Sequence, residues 1–193
     1  MKQLFSLMVA LFALALTTTA QTYQAIPSKS VLEWTGKKVT GEHHGKINLK
    51  EGTFTIDDNK VTNGKFVIDM TSITNSDLEG EWNQKLIGHL KSDDFFGVEN
   101  YPEAVLVLKG NSKLVNNKAK LKGDLTIKGI THPVEFEATQ YENTFKASLT
   151  VDRTLYNVRY GSGKFFDNLG DKTIYDDFTL DVEIVAESEL TSR

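Results

Sequence analysis

The chain has 193 residues, 39% of them hydrophobic, with no cysteine and a formal net charge of −4. Without cysteine no disulfide can form, so stability has to come from a packed core. A mildly acidic chain with no long basic stretch argues against nucleic acid as a partner and against electrostatic docking on anionic lipid.

In chain order, the first segment reads as a targeting signal. Lys2 precedes an apolar run from Leu4 to Leu16, and Thr18-Thr19-Ala20 supplies small residues. This layout is that of a secretory signal peptide over residues 1–20, with cleavage after Ala20. The run is shorter than the roughly 20 apolar residues a bilayer span needs. No cysteine follows it for acylation, so no lipid anchor and no integral membrane span are expected after cleavage. The expectation is a single exported domain over residues 21–193, periplasmic or secreted.

The rest reads as strands. Ile47 and Leu49 share one parity, and Phe54 and Ile56 the other, with Gly52 between them. A bulge there would restore a common inward face. Phe66, Ile68 and Met70 share one parity, with Val67 and Asp69 between them. Leu106 and Leu108 follow less cleanly, because Val105 and Val107 are also apolar. Regular alternation returns over 121–128, 134–139, 145–151 and 178–186. A period of two marks one buried and one wet face, as in an antiparallel sheet. Asp57-Asp58-Asn59, Asn116-Asn117 and Glu142-Asn143 supply residues that tolerate the positive φ of tight hairpins.

Only Glu81–Lys91 looks helical, with Trp82, Leu86 and Leu90 every fourth residue. Asp77 or Ser76 is the expected cap. Ser92-Asp93-Asp94 introduces a further turn carrying Phe95 and Phe96. Successive strands with one helical excursion imply an all-β barrel or sandwich. About eight strands in a barrel leave an interior that side chains fill or that holds one apolar ligand.

Two blocks stand out: Gly88-His-Leu-Lys-Ser-Asp-Asp-Phe-Phe-Gly-Val-Glu-Asn-Tyr-Pro102 and Gly123-Asp-Leu-Thr-Ile-Lys-Gly-Ile-Thr-His-Pro-Val134. With the 23–34, 41–45, 52–54, 66–73 and 151–154 segments, they make the chain resemble the YceI-like family along most of residues 21–193. The stretch 156–174 is longer than the family's minimal pattern and resembles one branch of it. The resemblance implies a lipocalin-like, eight-stranded antiparallel β-barrel with one short helix. It also implies an apolar tunnel for a polyisoprenoid tail, such as that of an isoprenoid quinone or a polyprenyl phosphate, in the periplasm of Gram-negative bacteria.

Inward residues then become the candidate lining: Trp34, Phe54, Phe66, Ile68, Leu125, Phe136, Phe145, Leu149 and Phe178. The bland alternative is that they fill a core. Arg153, Tyr156, Arg159 and Tyr160, with Lys164, cluster late in the chain and are candidates to meet a headgroup. His89, Asp93 and Asp94 are read as capping and turn residues, and Phe95 and Phe96 as a plug for the barrel end. His43 and His44 are adjacent, so on a strand they face opposite ways, and no metal site is expected. No nucleophile elbow is present. The expected function is sequestration or carriage of an amphiphilic isoprenoid, without catalysis and without a cofactor other than that ligand. A homodimer is left open. Two rivals stay open: a packed structural or stress-response barrel with a protein partner, and an enzyme using His89 and Asp93 as an acid–base pair.

Overall fold

A computed structural model describes residues 20–189. The expected signal peptide therefore lies outside the described residues, apart from Ala20. Among the described residues ten strands occur: β1 (Gln21–Ala25), β2 (Val31–Lys38), β3 (Gly41–Asp57), β4 (Lys60–Asp69), β5 (Glu103–Lys109), β6 (Ser112–Lys113), β7 (Lys118–Ile127), β8 (Ile130–Tyr141), β9 (Thr144–Asp152) and β10 (Ile174–Glu189). All pairings are antiparallel, and the order β3-β2-β10-β9-β8-β7-β5-β4 returns to β3. The sheet is a closed eight-stave barrel with one helix, α1 (Gly80–Lys91).

Ten strands make eight staves because two staves are interrupted. β1 and β2 both lie between β3 and β10. A 3-10 turn at Pro27–Lys29 separates them. Pro27 has no N–H to give to a ladder. Ser30 bridges the break: its hydroxyl donates to the Ile26 carbonyl at 2.9 Å and accepts from the Val185 amide at 3.1 Å. In the same way β6 continues β5 along β4.

The register change in β3 is real. Pairing with β4 slips between Leu49 and Glu51, so Lys50 is the extra residue, two positions before Gly52. Ile47 and Leu49 before it, and Phe54 after it, all end up buried. Gly52 leaves room for the Phe66 ring, whose Cδ1 lies 2.6 Å from where a Cβ would stand.

One end of the barrel carries both long excursions, 70–102 and 153–173. α1 sits there with Leu90 buried and Leu86 and Ile87 packed against the core. The expected cap is not made: Glu79 occupies the N-cap position without a side-chain hydrogen bond. Asp77 is taken by other donors instead. Its Oδ2 lies 2.7 Å from His43 Nδ1, and its Oδ1 accepts from the His44 amide at 2.9 Å and from the Asn75 side chain. Asn83 ties the first helical turn back to the Asn75 and Leu78 carbonyls.

The two conspicuous blocks meet at this end. Lys128 and Gly129 both have positive φ and form the tight turn between β7 and β8. From that turn Lys128 Nζ donates to the Asp93 carbonyl at 2.6 Å and the Phe95 carbonyl at 2.9 Å. Gly129 leaves Tyr101 its place, since a Cβ there would lie 3.1 Å from that ring. The short blocks therefore build the barrel's end wall.

Candidate functional site: the barrel interior

Inward positions of every stave converge on a cavity of about 200 Å³. Its wall is almost wholly hydrocarbon and aromatic. All nine lining candidates, Trp34, Phe54, Phe66, Ile68, Leu125, Phe136, Phe145, Leu149 and Phe178, border it. Leu32, Ile47, Met70, Ile73 and Leu106 border it too. The periodicity could have found these, because each sits on the inward parity or just past a strand end.

Aromatic rings pack against one another towards each end. Away from the helix, Tyr23 stacks on Phe54 at 4.9 Å between centroids, and Phe145 meets Phe54 edge-on at 4.7 Å. At the helix end Phe95 and Phe96 are buried, meet at 5.0 Å and border the cavity. They stand at the barrel end expected of them and line the cavity there. Between these ends the rings and aliphatic groups leave space rather than interlock.

The late cluster divides. Arg153 is buried at the cavity wall and is heavily engaged. Its guanidinium donates to the carbonyls of Val158 (2.8 Å), Ile174 (3.0 Å) and Tyr175 (3.1 Å) and lies 5.5 Å from the Phe95 ring centre. β10 loses register between Ile174 and Phe178, and Arg153 satisfies two carbonyls of that irregular stretch. Burial lowers its pKa, and the Asp176 and Asp152 charges oppose that.

Tyr156 is also buried, edge-on to His132 at 5.3 Å. Burial, and then the Asp152 charge, push its hydroxyl up to about 12. Lys164 is held between Asp152 Oδ2 (2.8 Å) and Asp176 Oδ2 (3.3 Å). Arg159 and Tyr160 are exposed at the rim: Arg159 lies over Phe165, and Tyr160 against His89. Neither borders the cavity, so the structure splits the four headgroup candidates into two buried and two on the rim.

His89 and Asp93 form no acid–base pair. His89 Nε2 is enclosed and unpartnered, while Asp93 Oδ1 accepts from Asn100. His43 and His44 both approach Asp77, at 2.7 and 3.9 Å. Among the described residues no group of three His, Asp or Glu side chains could hold a metal ion.

The barrel wall itself has a seam. β8 and β9 pair only from Ala138–Ala147 to Tyr141–Thr144. Towards the helix end they part, leaving a recess bordered by Pro133, Val134, Leu155 and Tyr156. Pro133 suits such an edge because it has no amide to leave unpaired. Leu149 and Val151 border both this recess and the central cavity. Nothing in the strand periodicity marked the seam.

A model of the YceI-like domain matches residues 23–186. The chain belongs to the YceI-like family. A UPF0312 protein of Pseudomonas putida (strain W619) is 33% identical over 96 residues, covering 50% of this chain and 48% of that one. A UPF0312 protein of Vibrio parahaemolyticus is 33% identical over 101 residues, with 49% and 48% covered. This YceI-like chain thus spans about half the length of the curated relatives it matches. Among solved structures, Burkholderia cenocepacia BcnA superposes with a TM-score of 0.68 at 24% identity, over 84% of this chain and 99% of that one. A polyisoprenoid binding domain from Saccharophagus degradans gives 0.60 at 13% identity, over 86% and 98%. These likenesses establish the barrel fold.

Proposed function

We propose that this YceI-like barrel is an exported carrier that sequesters the tail of a polyisoprenoid, of the quinone or polyprenyl-phosphate type, or a similar amphiphile. The observation that carries this reading is the cavity: a closed barrel whose interior is apolar on every stave and is not filled by its own side chains. The family match and the polyisoprenoid-binding neighbour support the ligand class. A packed barrel would gain more from filling such a space, since each buried CH₂ contributes about 0.8 kcal/mol. The same arithmetic lets an isoprenoid tail bind tightly without a polar contact, and without any covalent step.

In this reading the nine lining residues replace water around the tail. Arg159 and Tyr160 on the rim, and the donors of Arg153 not taken by carbonyls, meet the headgroup. Export to the periplasm rests on the 1–20 segment.

Native mass spectrometry of the protein recovered without detergent from its host, followed by denaturing lipid identification, tests the proposal. A stoichiometric polyprenoid or quinone is expected. An empty protein that also refuses added polyprenoids would overturn it.

A further inference from the structure

Among the described residues, most of the large exposed hydrophobic side chains lie towards one end of the barrel. Twelve large hydrophobic side chains are exposed among the described residues. Eight of them, counted from the same set, lie on the helix end, on α1 and the neighbouring turns and excursions. Trp82 is the most exposed at 70%, and Phe165, Phe166 and Tyr175 are each more than 40% exposed. At the opposite end Val115 and Tyr141 stand singly on separate hairpins. Single exposed apolar residues are ordinary, whereas a gathered set rimmed by polar residues marks a contact surface.

Two of these rings have a cation beside them. Lys85 Nζ lies 5.0 Å from the Trp82 ring centre, and Arg159 Cζ lies 4.7 Å from that of Phe165. An aromatic ring that enters the interfacial layer, with a long cationic side chain reaching the phosphate level, is the arrangement that anchors proteins at lipid–water boundaries. Asp167, Asp171 and Asp177 stand near Arg159, Lys164 and Lys172 in sequence, so the late excursion is not a basic patch. The face therefore complements headgroups that carry both charges rather than a net negative surface.

The seam opens on this same end. Leu155, exposed, borders the recess between β8 and β9, and Leu149 and Val151 connect that recess to the cavity wall. Tyr175 borders the cavity and is itself part of the exposed set.

We propose that the helix end, with Trp82, Phe165 and Phe166 inserted, is a docking face for a zwitterionic phospholipid bilayer, and that it holds the β8–β9 seam at lipid level. This rests on the isoprenoid-carrier reading for its purpose: an apolar tail would pass from bilayer to cavity without crossing water. The docking itself is a separate physical claim.

Flotation of the purified chain with phosphatidylcholine vesicles tests it, together with quenching of tryptophan fluorescence by brominated phosphatidylcholine. The chain has two tryptophans, and Trp34 is only 9% exposed, inside the barrel, so quenching reports Trp82. Wild type is expected to float and to be quenched. The Trp82→Ser/Phe165→Ser/Phe166→Ser variant should partition at least about tenfold more weakly, given the apolar area it withdraws. Val115→Ser/Tyr141→Ser, altered at the opposite end, should float like wild type. Trp82→Ser alone, at a site this exposed, keeps the test valid if the triple variant folds poorly.

Docking is overturned if wild type stays in the aqueous fraction, if it floats only with anionic lipid, or if both multiple variants lose flotation equally. Uptake of a fluorescent short-chain prenyl probe from vesicle-free solution separates the two claims. Uptake without flotation sinks the docking face and spares the carrier reading. Flotation without uptake does the reverse.

Discussion

The indole N–H of Trp34 donates to the Thr74 carbonyl at 2.9 Å. This bond ties β2 to the excursion that carries α1. Gly45, paired with Trp34 across β2 and β3, makes it possible: a Cβ on Gly45 would lie 1.9 Å from that same carbonyl oxygen. Gly45→Ala is therefore expected to force the excursion off the barrel, at a cost of about 2–3 kcal/mol. Trp34→Phe removes the bond, leaves the carbonyl unpaired and withdraws ring volume at a wall that already borders the cavity, at about 1–2 kcal/mol. Urea unfolding of both variants checks the order, and a Gly45→Ala cost equal to or below that of Trp34→Phe would refute it.

Arg153 behaves as an internal clamp. Arg153→Met deprives three carbonyls of their donor and leaves Asp176 without its 3.8 Å partner. A loss of about 3 kcal/mol is expected. Arg153→Lys should recover less than half, because an ammonium cannot present the same planar set of donors. Hydrogen exchange should speed up first in the 153–176 stretch. Uniform acceleration across the barrel would contradict a local clamp.

Acid should loosen the 41–46 and 74–77 contact before it unfolds the barrel. Partial burial pushes the Asp77 carboxyl up. The bonds from His43, the His44 amide and Asn75 outweigh it and hold the group at about 2, below its ordinary 3.8. The fold thus favours the anion. Its contribution is complete above about pH 4 and is lost as pH falls through about 2. Asp77→Asn should cost on the order of 1 kcal/mol at neutral pH. It should also flatten the acid limb of the stability curve over that window, and an unchanged limb would count against the assignment.

Leu125 borders the cavity near the helix end of β7. Leu125→Trp projects a larger ring into free volume rather than into packed atoms. Stability should change by less than about 1.5 kcal/mol, below the usual cost of overpacking. Isoprenoid content in native mass spectra should fall several-fold. Undiminished loading would mean that the tail does not occupy this part of the cavity.

Much of the barrel was legible because its physics is local. Alternation over 121–128 and 145–151 requires only that one side of a strand meet hydrocarbon, and those strands appear as β7 and β9. The change of parity between Leu49 and Phe54 required an extra residue, which the structure places at Lys50. The cap of α1 was misread because Asp77 had nearer donors in a strand more than thirty residues away in sequence. Phe95 and Phe96 were legible as buried residues at the barrel end, whereas Arg153 was open to two readings, since a guanidinium serves carbonyls and headgroups equally well.

By itself, the sequence determined an antiparallel β-protein with one helix, an apolar interior and no means of cross-linking itself, because periodicity and composition act residue by residue. The tertiary structure decided what depends on distances between distant residues. The inward rings leave a cavity instead of interlocking, Arg153 gives three donors to the Val158, Ile174 and Tyr175 carbonyls, and β8 parts from β9 beside an apolar face. Each of these depends on how staves far apart in the chain curve around a common axis, and local patterning does not encode that curvature.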